Sequence, residues 1–261
     1  NIPRLKFGPL PTSVQYIHEA WLTLTASGFD SHKARVRLAS DLDDVHLTPS
    51  ALPLPRLVRN GQFLRQITGQ RFSIIGVSGF TLFQQFLDGE DIEPVLKQQK
   101  EIGFNTIRVF GMYHNLHPLG LGRFIPVEYP EYFNSIPKFF KLLNKHGLYG
   151  EFVVFADTEP AIGGNINVQI AHFERVVMRL QFISNALLEA VNEADQAINK
   201  TNALPVLPRP QGVISSHGSH GSQLEPVMPY WDYVTFHTND AFEESRKVGH
   251  NAMELWSGPS V

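Results

Sequence analysis

The chain has 261 residues, 43% hydrophobic and 11% aromatic, which is enough to form one large globular domain or a large and a small one. Its 22 Lys and Arg residues nearly balance 25 Asp and Glu residues, so its charge does not favour nucleic acid or an anionic membrane surface as a partner. Cysteine is absent, which excludes disulfides, thiolate catalysis and cysteine-based metal sites.

No apolar run reaches the length of about 18 residues that a membrane span needs, and the start of the chain has no basic and then apolar leader. We therefore expect no membrane insertion. The sequence leaves the compartment open.

Residues 1 to 55 differ in pattern from the rest of the chain. The segments 20 to 25 and 34 to 38 approach the alternation of half-buried strands, with a Gly and Asp turn between them. The Pro-rich stretch 49 to 55 cannot continue a helix or a sheet and indicates a linker. The sequence thus predicts an N-terminal β segment and linker, followed by a main domain over residues 56 to 261.

From residue 72 onward, short apolar runs alternate with segments of helical period, a pattern typical of βα units around a parallel sheet. The predicted strands are residues 72–79, 106–110, 148–155, 186–191, 213–216 and 232–237. The predicted helices are residues 92–102 (with Asp91 as the N-cap and Gly103 as the stop), 130–147, a helix through Phe173 and Leu180, and 242–256.

A complete eightfold βα barrel typically needs about 250 residues, whereas residues 72 to 261 hold only six units. The fold class predicted is therefore α/β, of the (β/α)8 TIM-barrel type and incomplete at the C-terminus. The last two strands are expected beyond Val261.

Polar residues that follow the strands of a parallel barrel meet at one face, because the C-terminal strand ends converge there. Aromatic side chains near that face can also contribute a flat apolar surface to the same site. The resulting site candidates are Arg108, His114, Asp157, Asn192, Glu193, His217, Trp231 and His237.

Three segments, NTIRVF, LLEAVNE and YVTFH, resemble in this order the clan of retaining glycoside hydrolases that includes the cellulase family. Those enzymes have an arginine on strand two, an Asn-Glu pair ending strand four and a histidine or tyrosine near the end of strand six. The matching residues are Arg108, Asn192, Glu193 and His237. The resemblance spans residues 57 to 261.

The resemblance implies hydrolysis of β-glycosidic bonds in a poly- or oligosaccharide, with no cofactor and no metal. Retaining hydrolysis uses two carboxyl groups about 5 to 5.5 Å apart. The resemblance gives Glu193 the acid/base role, Asn192 a hydrogen bond to the sugar 2-hydroxyl, and Arg108 the task of keeping the nucleophile ionised. The family nucleophile ends strand seven and is expected beyond Val261. An extracellular or surface-associated location is the corresponding expectation.

Each candidate also has a plainer interpretation. Glu193 could be a solvated strand-end residue and Arg108 a structural ion-pair residue. Histidines at strand ends can cap loops, and Asp157 with the following Thr is a common start of a helix. Residues 215 to 222 hold two histidines, but we expect a polar loop there and no metal site.

Two further functional hypotheses stay open. The chain could be a catalytically inactive carbohydrate-binding or structural barrel protein within a larger assembly or a longer chain. An aldolase or a metal-dependent hydrolase fits less well, because no metal cluster is apparent and six candidate lysines fall in predicted helices (Lys97, Lys100, Lys138, Lys141, Lys145, Lys247).

Overall fold

The computed structural model describes residues 20–24, 32–36, 53–60, 63–114, 122–194, 196–219, 231–233 and 235–236. It divides the chain into two units, Asn1–Leu52 and Pro53–Val261. In the first unit, strand β1 (Ala20–Leu24) pairs antiparallel with β2 (His32–Val36). Both strands overlap the segments 20 to 25 and 34 to 38, in which the alternation of apolar residues predicts strands. The predicted domain bounds, 1 to 55 and 56 to 261, stay a prediction.

The second unit begins with a small antiparallel sheet of β3 (Leu57–Asn60), β4 (Phe63–Gln66) and β5 (Arg71–Phe72). A single strand over residues 72–79 is the sequence prediction, whereas two strands, β5 and the following β6 (Gly76–Gly79), occupy the region. Apolar side chains of this small sheet belong to a second buried cluster (Leu57, Leu64, Tyr149, Leu187, Tyr233), and Phe72 packs against it.

Five parallel strands form the main sheet in sequential order: β6, β7 (Thr106–Phe110), β8 (Tyr149–Phe155), β9 (Ala186–Val191) and β10 (Ile214–Ser216). Every residue of β7, β8 and β9 is buried, as expected for a parallel sheet covered on both faces. This order confirms the predicted arrangement of successive parallel strands.

Beyond β10, the strand β11 (Gly218–Ser219) pairs in parallel with β12 (Thr235–Phe236). The sixth predicted strand is thus present but short. Residues 215 to 219 lie largely in strands rather than in the predicted loop. His237 and the predicted helix 242–256 lie outside the described residues.

Five α-helices occur in the described residues: α1 (Leu82–Leu87), α2 (Glu93–Ile102), α3 (Tyr132–Lys145), α4 (Thr158–Ile162) and α5 (Ile166–Leu180). Helix α2 ends at Gly103, which has a φ of 110°, a conformation that glycine adopts at little cost. Its N-cap is Ile92 and not Asp91, although the Asp91 carboxylate accepts a hydrogen bond from the Glu93 N–H at 3.1 Å. Helices α1 and α4 are not predicted by the sequence pattern.

The described residues between β9 and β10 contain two short 3-10 turns, Ala197–Asn199 and Leu204–Val206, and no α-helix. This departs from a regular βα repeat. Prolines at positions 205, 208 and 210 explain the difference, because each removes a backbone donor and obstructs a continuous helix. No helix among the residues described has the length and hydrophobicity to cross a membrane.

Alternation along β9 separates an outer apolar layer from an inner, partly polar one. Leu188 and Ala190 belong to the large cluster that includes Phe139 and Phe173 of the helices. Leu187 joins the smaller cluster with β3 to β5, and Glu189, two residues further on, shares its face. A charged side chain, Glu189, therefore lies on the inner face of this apolar strand.

Candidate active site

A buried ion pair joins two strands of the sheet that are not neighbours. Arg108 in β7 donates from Nε to Glu189 Oε2 at 2.6 Å and from Nη2 to Glu189 Oε1 at 2.8 Å. The side chains are 5% and 0% exposed, and β8 lies between their strands. Two parallel bonds of this kind fix the plane of the guanidinium as well as its position.

The same guanidinium reaches the strand end. Arg108 Nη2 donates to Asn192 Oδ1 at 2.9 Å, and the Asn192 N–H donates to the Phe155 carbonyl at 2.8 Å. The two residues are therefore in contact, as the predicted convergence of the strand ends requires. Since a guanidinium has only donors, the oxygen of the Asn192 amide must face Arg108.

Glu193 directly follows Asn192 and has a φ of 42°. Among the described residues, only Glu193 and Asp157 are non-glycine residues with positive φ. Each follows a parallel strand at its C-terminal end, β9 or β8. Such conformations cost of order 1–3 kcal/mol and tend to occur at functional sites. The roles that the sequence analysis gives to Glu193 and Asp157 stay predictions.

Gly218 in β11 lies directly against the Glu189 carboxylate. A Cβ at this position would overlap Glu189 Oε1 and approach the Val191 carbonyl oxygen at 2.8 Å. The Gly218 carbonyl also accepts a hydrogen bond from the Ala194 N–H at 3.0 Å. One glycine thus contacts the buried carboxylate and holds the backbone immediately after Glu193.

Asp157, two residues after the C-terminal end of β8, links two loops by hydrogen bonds. Its Oδ2 accepts a hydrogen bond from the His114 N–H at 2.9 Å, and its own N–H donates to Asn199 Oδ1 at 2.8 Å. Asp157 is 4% exposed. Asp157 also occupies the N-cap position of α4, as its plainer interpretation predicts, although its side chain makes no capping hydrogen bond. The substrate-binding roles of Asp157 and His114 stay predictions.

His217 and Trp231 are also buried, at 4% and 5% exposure. The His217 carbonyl accepts from the Thr235 N–H at 3.3 Å, and the Trp231 carbonyl accepts from Arg59 Nη1 at 3.2 Å. Their roles in substrate binding stay predictions, as does that of His237, which lies outside the described residues.

A second buried carboxylate, Glu151 in β8, lies on the same inner face and is 5% exposed. It accepts hydrogen bonds from the Tyr233 hydroxyl, from Ser216 Oγ at 3.3 Å and from Thr235 Oγ1 at 3.5 Å. Burial, and then the nearby Glu151, raise the pKa of Tyr233 well above its ordinary value, so its hydroxyl keeps its proton and donates it.

Neither Glu151 nor Glu189 is among the candidates that the sequence predicts, because both lie within strands and not after them. The sequence contains one signal for them, because each is a charged residue inside an otherwise apolar run. In the part of the chain described, no three His, Asp or Glu residues are grouped so that they could hold a metal ion.

No protein-family model matches this sequence, and no curated protein matches it significantly. Solved structures do match. A glycoside hydrolase family 5 protein from Bacteroides vulgatus is 18% identical, with a TM-score of 0.54 over 70% of this chain and 44% of that one. A β-glucanase from Saccharophagus degradans is 15% identical, with a TM-score of 0.53 over 72% of this chain and 63% of that one.

These likenesses establish the fold at low sequence identity. The chain has the α/β fold of these barrel-type glycoside hydrolases, as the motifs and strand order predict. It spans between 44% and 63% of the length of the two proteins compared.

Proposed function

We propose that this protein is a retaining glycoside hydrolase that cleaves β-glycosidic bonds of a poly- or oligosaccharide, with Glu193 as its acid/base carboxylate. One observation supports this most strongly: Asn192 and Glu193 end the fourth parallel strand, where a buried Arg108 binds the Asn192 amide. The left-handed backbone at Glu193 turns the chain sharply at this point.

In this mechanism Glu193 first donates a proton to the leaving oxygen while a second carboxylate attacks the anomeric carbon. Glu193 then takes a proton from the water that hydrolyses the glycosyl-enzyme intermediate. The proposal assigns Asn192 to the sugar 2-hydroxyl, where a hydrogen bond strengthens as the oxocarbenium-like state forms.

The second carboxylate is not assigned to a described residue. Glu189 is fully buried and bound by Arg108. It lies inside β9, and both of its oxygens accept hydrogen bonds from Arg108. A carboxylate that attacks the anomeric carbon must be open to the sugar, so Glu189 is poorly located for attack. The nucleophile is proposed to come from outside the described residues.

The substrate class to test first comes from a structural neighbour. The β-glucanase from Saccharophagus degradans was crystallised with cellotetraose, and that structure is 14% identical with a TM-score of 0.53. A neutral β-glucan is also compatible with the net charge of −3 on this chain.

The test uses the full-length protein, a soluble β-glucan and an aryl β-cellobioside. We expect Glu193→Gln to lower kcat by about 10²- to 10⁴-fold. The matched control is Glu174→Gln, the same change on an exposed position of α5. Hydrolysis by Glu193→Gln at the wild-type rate would remove Glu193 from the acid/base role. A wild-type protein that binds the glucan without cleaving it would indicate a carbohydrate-binding barrel instead.

A further inference from the structure

We propose that Glu189 is a positioning residue for the glycosidase reaction: acting through Arg108, it fixes the Asn192 amide so that its nitrogen, and not its oxygen, faces the sugar. This inference rests on the proposed function. It adds Glu189, a residue to which the family resemblance as given above assigns no role.

The Glu189 carboxylate fixes the orientation of the Arg108 guanidinium. Arg108 donates hydrogen bonds from Nε and from Nη2 to the two oxygens of Glu189, at 2.6 and 2.8 Å. Two parallel bonds leave the guanidinium plane a single orientation. In that orientation the other Nη2 proton is directed at Asn192 Oδ1, 2.9 Å away. The position of the Asn192 oxygen is therefore set by the Glu189 carboxylate, three residues earlier in the chain and within β9.

The hydrogen bond from Arg108 also determines which end of the Asn192 amide is left for a ligand. Because Oδ1 is taken by a donor, the two protons of Nδ2 lie on the opposite side of the amide. No hydrogen bond within the described residues occupies Nδ2 of this half-buried side chain. The site thus offers a donor, and a sugar hydroxyl bound there must accept through its oxygen.

The backbone at Gly218 limits the movement of the Glu189 carboxylate. The Glu189 carboxylate lies directly against Gly218, where a Cβ would overlap Oε1. The carbonyl of that glycine binds the Ala194 N–H at 3.0 Å. Any displacement of the Glu189 carboxylate toward β11 is blocked by backbone that also anchors the turn containing Glu193.

The experiment compares aryl β-glycosides that carry or lack the 2-hydroxyl. The measured quantity is the ratio of kcat/KM for the hydroxylated and the 2-deoxy substrate, with Asn192→Ala as the reference for a lost contact. We expect Glu189→Gln, which keeps the shape but offers Arg108 only one oxygen, to lower this ratio toward the Asn192→Ala value. The matched control Glu174→Gln should keep the wild-type ratio.

A purely structural role for Glu189 predicts a different result, in which both substrates lose activity by the same factor and the ratio stays at the wild-type value. That outcome would overturn the positioning role. If Glu189→Gln does not fold, the double variant Arg108→Met with Glu189→Leu removes both charges together, and its ratio should also equal that of Asn192→Ala.

A second readout separates this inference from the proposed function. The side-chain amide of Asn192 gives a pair of NMR signals that Asn192→Ala identifies. Glu189→Gln should shift this pair, and Glu174→Gln should leave it unchanged, whether or not the protein hydrolyses any glycoside. Unchanged Asn192 signals in Glu189→Gln would contradict the positioning role while leaving the acid/base role of Glu193 intact.

Discussion

Arg108 and Glu189 form a doubly hydrogen-bonded ion pair inside the parallel sheet, although 81 residues separate them in sequence. Both side chains are excluded from water, at 5% and 0% exposure. A buried pair of this kind contributes little net stability over an apolar replacement, yet loss of one partner leaves an uncompensated charge. The pair therefore makes the strand end sensitive to single substitutions.

Replacement of Glu189 by Leu alone should lower the free energy of unfolding by about 3–5 kcal/mol, because it leaves the Arg108 charge buried without its carboxylate. The double variant Arg108→Met with Glu189→Leu should recover most of this loss. Urea denaturation of the two variants and the wild type measures the difference. Equal destabilisation by the single and the double variant would show that the charge is not the cause.

Gly218→Ala should destabilise the protein by about 1–3 kcal/mol, since the added methyl group overlaps the Glu189 carboxylate and the Val191 carbonyl. Gly122→Ala is the matched control, because a Cβ at that exposed position meets nothing within 4 Å. Its unfolding free energy should stay within about 0.5 kcal/mol of the wild type. Thermal or urea unfolding that ranks the two variants equally would argue against the close packing over Glu189.

The positive φ of Glu193 predicts an inverted order of stability for small residues at this position. Left-handed backbone costs an L-residue roughly 1–2 kcal/mol and glycine little, so Glu193→Gly should be more stable than Glu193→Ala by about 1 kcal/mol. At Glu174 in α5 the order should be reversed, with Ala favoured over Gly by about 1 kcal/mol. The four variants are compared by urea denaturation, and the same order at both positions would contradict the left-handed turn.

The sequence predicts the strands well where apolar runs are uninterrupted, and β9 has the predicted bounds, 186 to 191. It also predicts that Arg108 and Asn192 come together, because the strand order determines which strand ends meet. Glu189 escapes prediction because the candidates are residues that follow the strands, whereas Glu189 lies within β9. A charge inside an apolar run marks such a residue but does not identify its partner. The conformation of Glu193 is likewise invisible in the sequence, because left-handed backbone usually signals glycine.

His172 in α5 predicts a pH dependence of stability. Burial, and to a smaller extent Arg175, lower the pKa of His172 from 6.5 to about 4. Below pH 6.5 the unfolded chain takes up a proton that the folded protein does not, so stability should fall as the pH drops from about 6.5 to 4, by up to roughly 3 kcal/mol. His172→Phe should remove this part of the pH dependence, because phenylalanine does not take up a proton. The substituted ring should fit, because Tyr132, Phe133 and Phe155 already surround the site.

Urea denaturation of the wild type and His172→Phe at several pH values tests this expectation. At neutral pH the comparison gives the packing effect of the substitution alone. Parallel stability curves for the two proteins between about pH 6.5 and 4 would show that His172 does not supply the slope.

The acid/base role of Glu193 is tested most directly by azide rescue of Glu193→Ala in the full-length protein, with a dinitrophenyl β-glycoside that needs no protonation to leave. If Glu193 is the acid/base residue, we expect the glycosyl-enzyme to accumulate, azide to accelerate turnover by about 10²-fold or more, and NMR to identify a β-glycosyl azide. Turnover unaffected by azide, or an α-configured product, would contradict a retaining mechanism with Glu193 as its acid/base residue.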